Sequence, residues 1–544
     1  MTRLLNTLAC GLAVAANASP TSGGWGDYGR PFVQTDAGPV VGFKKTVPGT
    51  QYELNEYLGV PFAAPPERWG PPVPSTPWKE PYDASTIQAA CIQQFNYPEE
   101  RRNLILQWFN TPAAPESEDC LYVNVYSPNT KHRKAVMVWI YGGGNLYGSN
   151  FNPAYNGEYL AANEDVVVVV LNYRTNVFGF PGADILDPNG RNLGFLDQRL
   201  ALDWVRRNIA SFGGDPDQVT IFGESAGALA VDALLTLVPN PPTFRAAIME
   251  SGTASIRGRT ATPSASWNLL VGAMGCNSTS DDPAATLSCM RALPATQIRD
   301  YNAVNRVPWA PVFDDVTSAD TARSNRLNRT ADFAAVPILG GSNRDEGRLY
   351  SVSATNVTTF ILGLLPAFNA TQIEGLLAQY PLGTGEFKDD FERLGAIYTD
   401  FIFQCPCRLV HLDTTKVGVP SHRYLYNASF PNTQLFPNGG VYHASEIGLA
   451  LGTYPRDNAT PFEEQLSRAM QKLWADFARD PYGWADQGGW PAGADTLGVL
   501  GGGVRAEDGP TAVGEVLEVV GKEVIGSLDK RCALYEPIYD ILGR

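Results

Sequence analysis

Five consecutive valines, Val166 to Val170, constrain the fold more than any other stretch of the chain. A strand with one wet face alternates apolar and polar residues, whereas an unbroken β-branched run needs apolar cover on both sides. The surrounding pattern supplies that cover. Lys134 to Tyr141 reads as a second buried strand and ends in Gly142-Gly143-Gly144. Gln198 to Phe212 carries Leu200, Leu202, Trp204, Val205 and Ile209 at helical spacing. Gln218 to Gly223 reads as a short strand and Ala226 to Leu237 as a helix. Arg245 to Ser251, Val336 to Gly340 and His422 to Asn427 read as further strands. Strands alternating with helices predict an α/β chain, with a large, mostly parallel sheet covered by helices on both faces. The stretches from about 253 to 328 and 358 to 400 read as helical insertions over that sheet.

Hydrophobic residues make up 44% of the 544 positions and charged residues 18%, so the chain can bury a large core and is not a disordered scaffold. Lys and Arg number 41 against 56 Asp and Glu, a net charge of −15. That balance argues against nucleic acid or an anionic membrane as the main partner and favours small molecules. Arg3, the apolar stretch Leu4 to Ala16 and the small-x-small step Ala16-Asn17-Ala18 read as a signal peptide over residues 1–18. Residues 19–544 are expected to form a single domain. Six Asn-x-Ser/Thr sequons, at Asn277, Asn328, Asn356, Asn369, Asn427 and Asn458, fit a secreted glycoprotein when taken with that leader. Seven cysteines follow it: Cys91, Cys120, Cys276, Cys289, Cys405, Cys407 and Cys532. They show no Cys-x-x-Cys zinc spacing and read as structural disulfides with one thiol left over. No metal or cofactor is implied, and the oligomeric state stays open.

Gly223-Glu224-Ser225-Ala226-Gly227 follows the strand-like Val219-Thr220-Ile221-Phe222 and opens the helix-like Ala226-Gly227-Ala228-Leu229-Ala230. Gly-x-Ser-x-Gly between a strand and a helix is the turn that lifts a nucleophilic serine above a sheet edge. A serine needs a base, and in this architecture the chain order is Ser, acid, His. Only four histidines occur. His132 precedes the serine, His411 sits in a helical segment and His422 opens a strand. His443 lies in a loop beyond the last of these strands and is the candidate base. The acid should follow the preceding strand, where Asp345 and Glu346 both qualify, and the residues alone do not separate them. Gly142-Gly143-Gly144 lies where main-chain N–H groups would meet an oxyanion, with Ala226 adding a further donor.

The sequence resembles the type-B carboxylesterase/lipase family, the cholinesterase-like branch of the α/β-hydrolases. The resemblance rests on Gly59-Val60-Pro61-Phe62-Ala63 with Arg68-Trp69, on Ser117-Glu118-Asp119-Cys120-Leu121-Tyr122-Val123-Asn124-Val125, and on Phe212-Gly213-Gly214-Asp215-Pro216 through Gly227. It implies Ser225 as nucleophile, Glu346 of the Asp-Glu-Gly step as acid, His443 as base, and Gly143, Gly144 and Ala226 as oxyanion donors. It also implies disulfides Cys91–Cys120, Cys276–Cys289 and Cys405–Cys532, an unpaired Cys407, and structural ion pairs Arg68–Glu118 and Arg174–Asp197. Asn145 departs from the pattern, since the family often has an aromatic residue after the glycines.

The resemblance further implies hydrolysis of carboxylic esters through an acyl-serine, with a lid-gated lipase or a cholinesterase-like enzyme as alternatives and a non-catalytic adhesion protein as the rival class. Between Cys91 and Cys120, Asn103 to Phe109 has the pattern of an amphipathic lid, which core packing would explain equally. Trp108 is the expected substrate contact there, though it is two residues from the position a cholinesterase would use. Asn305 and Val307 take the places of two aromatics that wall the acyl pocket in acetylcholine-selective relatives. Room for butyrate or longer acyl chains is therefore expected.

Overall fold

The computed structural model describes residues 29–129, 132–238, 242–256, 263–277 and 282–542. The leader assigned to residues 1–18 lies outside the described residues. Eleven strands form the main sheet: β1 (Phe43–Thr46), β2 (Glu53–Pro61), β3 (Tyr122–Pro128), β4 (Lys134–Ile140), β5 (Val167–Leu171), β6 (Gly214–Glu224), β7 (Ala246–Glu250), β8 (Ile338–Asn343), β9 (Ser421–Tyr426), β10 (Leu497–Leu500) and β11 (Leu517–Val520). Their spatial order is β11-β10-β9-β8-β7-β6-β4-β5-β3-β2-β1. The run from β5 through β10 is parallel, and the strands added at both edges are antiparallel.

The predicted parallel centre is present. Every residue of β4 and β5 is buried. Removing each valine side chain from water contributes about 1.5–3 kcal/mol, which is why an uninterrupted β-branched run is stable only here. Helices α2 (Leu193–Asn208), α3 (Ala226–Thr236), α4 (Cys405–Lys416) and α5 (Pro461–Arg479) pack against the sheet, while α1 (Glu99–Phe109) lies in the loop closed by Cys91–Cys120. Helix α5 starts at a reciprocal capping box between Thr460 and Glu463, with Pro461 in its first turn. All of α3 is buried, in keeping with its apolar sequence. Helices also fill the two insertion stretches, among them Pro283–Ala292, Ala295–Asn305, Val357–Leu364 and Asp390–Tyr398.

The structure differs from expectation at the edges. The strand expected at Gln218 to Gly223 starts four residues earlier, because Gly214 pairs with Lys134 before a register shift. The hairpin β1–β2, its neighbour β3 and the short strands β10 and β11 were not among the expected elements. The outer pair are four residues each, one containing Gly498 and the other Glu518, so neither carries a strong periodic signal.

The register sets the carboxyl ends of the central strands flush. Ile140 pairs with Gly223, Glu224 with Glu250, and Glu250 with Gly341. The loops after β4, β6 and β8 therefore emerge side by side. Three disulfides join Cys91–Cys120, Cys276–Cys289 and Cys405–Cys532, the pairs the resemblance implied, and Cys407 is a buried free thiol. Arg68 meets Glu118 at 2.5 Å and Arg174 meets Asp197 at 2.7 Å, both remote from Ser225 in role: Arg68 also donates to the Leu293 carbonyl and Arg174 to the Gly70 carbonyl, so each cross-links loops.

Candidate active site

Ser225 sits between β6 and α3 with φ 56° and ψ −119°, a conformation costly for a residue bearing a Cβ. The turn is held by its neighbours. A Cβ on Gly223 or on Gly227 would collide with the Ile140 carbonyl oxygen, so both flanking positions of the motif require glycine. The Ser225 N–H donates to the Glu250 carbonyl at 2.8 Å.

The loop after β8 brings in the candidate acid. Glu346 is fully buried; its Oε1 accepts from the Asn343 N–H at 2.7 Å and its Oε2 lies 2.6 Å from His443 Nδ1. A carboxylate in that position favours the tautomer with its proton on Nδ1, which leaves Nε2 free to accept one. Asp345 turns elsewhere. Its Oδ2 accepts from the Val441 N–H and its own N–H donates to the Val441 carbonyl, both at 2.9 Å, while Arg348 approaches at 3.5 Å. Asp345 thus ties the acid-bearing loop to the base-bearing loop without touching the imidazole.

His443 is 4% exposed, and Phe403 and Tyr350 flank its ring at 4.5 and 5.6 Å. Its Nε2 lies 3.1 Å from Glu224 Oε1, although the alignment makes no hydrogen bond. No hydrogen bond joins Nε2 to the Ser225 hydroxyl; such contacts commonly tighten only in the substrate complex. Burial, followed by the neighbouring charges of Glu446, Glu346 and Glu250, pushes the Glu224 carboxyl well above its ordinary range. Glu224 thus faces Nε2 while Glu346 faces Nδ1. Burial raises Glu446 in the same way, and Asn343 Nδ2 donates to it. Glu250 accepts from Trp474 Nε1 at 2.8 Å, and burial pushes it up to about 7. Sequence reasoning gave these three carboxyls no role. Glu224 stands inside the serine motif and Glu446 three residues after His443, so their proximity was visible but not their mutual burial.

The expected oxyanion donors are main-chain groups of the loop after β4 and of the start of α3. Gly143 and Gly144 have φ 109° and 63°, and among the described residues the N–H groups of Gly143, Gly144 and Ala226 make no hydrogen bond. The Ala226 N–H opens α3, so it has no intrahelical partner. A Cβ on Gly142 would come within 2.9 Å of Ser225 Cβ, which fixes how closely the glycine loop approaches. Asn145 continues the loop at φ 61°; its carbonyl accepts from Asn176, and its buried Oδ1 has no partner.

The three expected substrate contacts are placed apart. Trp108 is half-buried on α1, edge-on to Phe109 at 6.4 Å. Ile105, Leu106 and Trp108 pack on the main core and Leu104 on a small cluster with Tyr350 and Tyr442, so the apolar side of α1 is engaged rather than free. Asn305 is exposed at the end of its helix and donates to the Tyr301 carbonyl at 2.9 Å. Val307 is 2% exposed in a second core with Trp69, Val177, Trp267 and Trp309. Val307 thus packs among these aromatics, and Asn305 lies at the surface against its own helix.

Comparison with known proteins supplies an independent line. Residues 29–492 match the carboxylesterase family. The chain is 32% identical over 501 residues to an acetylcholinesterase of Bungarus fasciatus, covering 86% of this chain and 81% of that protein. It is 32% identical over 508 residues to a human cocaine esterase, covering 88% and 87%. It is 31% identical over 461 residues to a para-nitrobenzyl esterase of Bacillus subtilis, covering 81% and 90%. The mixed eleven-stranded sheet with helices on both faces is the α/β-hydrolase architecture of such proteins. The chain belongs to the carboxylesterase family and is a carboxylic ester hydrolase.

Proposed function

We propose that Ser225, His443 and Glu346 form the catalytic triad of a secreted carboxylesterase, with the N–H groups of Gly143, Gly144 and Ala226 as the oxyanion hole. The observation that carries this reading is the 2.6 Å contact between His443 Nδ1 and Glu346 Oε2 beside a strained Ser225. In the reaction, His443 Nε2 takes the Ser225 proton as Oγ attacks the ester carbonyl. The resulting oxyanion draws on the three main-chain donors, each worth about 3–4 kcal/mol in comparable sites. The imidazolium then returns its proton to the leaving alcohol, giving an acyl-serine. Water, deprotonated by the same imidazole, attacks the acyl carbonyl; the tetrahedral adduct collapses to free acid and restores Ser225.

Residues 1–18 are a leader and residues 19–544 one domain, exported to an oxidising compartment where three disulfides persist. No described helix is long and apolar enough to cross a membrane. Asn277, Asn328, Asn356, Asn369 and Asn458 are exposed and suit glycan attachment. Asn427 suits it less: it is half-buried, and its Oδ1 accepts from Arg505 at 2.8 Å. Turnover of a short aryl ester by the parent and its loss in Ser225→Ala test the triad; turnover in that variant close to the parent's would refute it.

A further inference from the structure

Helix α1 carries an arginine whose surroundings bear on which esters the site accepts. Arg101 is exposed, and its guanidinium lies 6.0 Å from the Tyr350 ring centre. Tyr350 is the ring that stands 5.6 Å from His443, and it is stacked on Tyr398 at 4.1 Å. The charge of Arg101 also reaches the Tyr147 phenol, which lies close enough to Glu224 to feel that carboxyl as well. Tyr147 in turn packs on Phe95 and Phe109, each at 5.1 Å, and its carbonyl backs the Gly143 loop. Arg101 therefore covers the outer side of an aromatic wall whose inner side is the imidazole and the oxyanion loop.

Its charge is not spent on a neighbour. Among the described residues no carboxylate lies within ion-pair distance of Arg101, although Glu99 and Glu100 precede it in the first turn of α1. Glu346 is hydrogen-bonded to His443, and burial pushes the Glu224 and Glu446 carboxyls well above their ordinary range. A substrate approaching this wall meets an exposed guanidinium that has no carboxylate within ion-pair distance among the described residues.

We propose that Arg101 is a specificity residue that favours esters carrying a carboxylate remote from the scissile bond, such as half-esters of dicarboxylic acids, over quaternary ammonium esters. Two physical effects act together. The guanidinium attracts the distal carboxylate and offers it paired N–H donors. It also occupies the Tyr350 face on which a quaternary ammonium would gain its cation–π contact, and it repels that cation.

The inference rests on the triad reading above, and the two fail differently: Ser225→Ala abolishes turnover of every ester if the triad is right, whereas Arg101 variants change only the ratio between esters. The probes are butyrate-length aryl esters in two series, one with the added group on the acyl chain and one on the leaving group. Each series has a carboxylate, a neutral amide and a trimethylammonium member. In the parent, kcat/KM falls in that order in at least one series. Arg101→Gln lowers the carboxylate-to-amide ratio about fivefold, and Arg101→Lys keeps most of the preference because the charge remains. Raising ionic strength from about 0.15 M to about 1 M, which shortens the screening length from about 8 to about 3 Å, flattens the parent's preference but not that of Arg101→Gln. A ratio within about twofold of the parent in both series for Arg101→Gln overturns the proposal, as does a faster trimethylammonium member in the parent.

Discussion

At the N-terminal edge of the sheet Glu56 is buried with no hydrogen bond on either oxygen, and at the carboxyl end of the sheet Glu346, equally buried, accepts from the Asn343 amide and contacts His443. The environments are alike in dryness and unlike in partners. Desolvation, then the nearby charge of Glu158, pushes Glu56 up to about 8, and Lys45 offsets this only in part. Glu346 instead has a backbone donor and an imidazole, partners that orient its carboxyl against Nδ1 and leave the far ring nitrogen, Nε2, free to accept a proton. Burial alone favours the neutral acid; a directed partner instead fixes where the carboxyl points. Glu224 falls between the two, its carboxyl pushed up by burial yet 3.1 Å from the imidazole.

The largest expected effect lies at the working end. Ser225→Ala should lower kcat by up to about 10⁶-fold while leaving the thermal unfolding transition in place. Glu346→Gln should cost about 10⁴-fold, because an amide can offer Nδ1 an N–H and stabilise the wrong tautomer. Asp345→Asn should cost far less, since its carboxyl braces the Val441 backbone rather than the ring; steady-state kinetics on one ester decide both. Equal losses in the two variants would mean that loop geometry, not the ring contact, carries the acid's role.

At the other end the expected effect is on stability. The folded-state pKa of Glu56 is raised, so between the ordinary value of 4.5 and about 8 the unfolded chain releases a proton that the folded chain keeps. Its contribution is fully present below pH 4.5 and is lost as pH rises toward 8, a change of about 3 kcal/mol by pH 7. Glu56→Gln should remove that slope and raise the midpoint of urea unfolding at pH 7.5 without changing kcat. An unchanged pH dependence of stability would show that Glu56 is solvated.

The smallest expected effect tests the acyl side. Val307→Phe adds a ring to a closed core and should destabilise by about 1–3 kcal/mol. Acetate, butyrate and octanoate esters of one alcohol separate packing from pocket. A uniform loss across chain lengths identifies Val307 as core, and a loss confined to the longer esters would restore it to the acyl wall.

These contrasts also mark what a reading of the residues can reach. The valine run and the glycine-flanked serine declare themselves through local rules, periodicity in one case and turn sterics in the other, and both stand where the pattern put them. Asp345 and Glu346 remain equivalent in sequence because both follow the same strand; only the path of the loop turns one toward Val441 and the other toward His443. Glu56 sits in a strand of mixed polarity, and nothing within Glu53 to Pro61 shows that its side chain faces inward. Val307 was legible as an apolar residue, but its burial depends on Trp69, Trp267 and Trp309, drawn from three separate stretches of chain.

The most direct test of the account traps the covalent intermediate. The protein is treated with a fluorophosphonate, digested, and the modified peptide sequenced by mass spectrometry, with Ser225→Ala and Glu346→Gln run alongside. The account predicts one adduct, on Ser225, absent from Ser225→Ala and formed much more slowly in Glu346→Gln. An adduct on another residue, or stoichiometric labelling of Ser225→Ala, would contradict it.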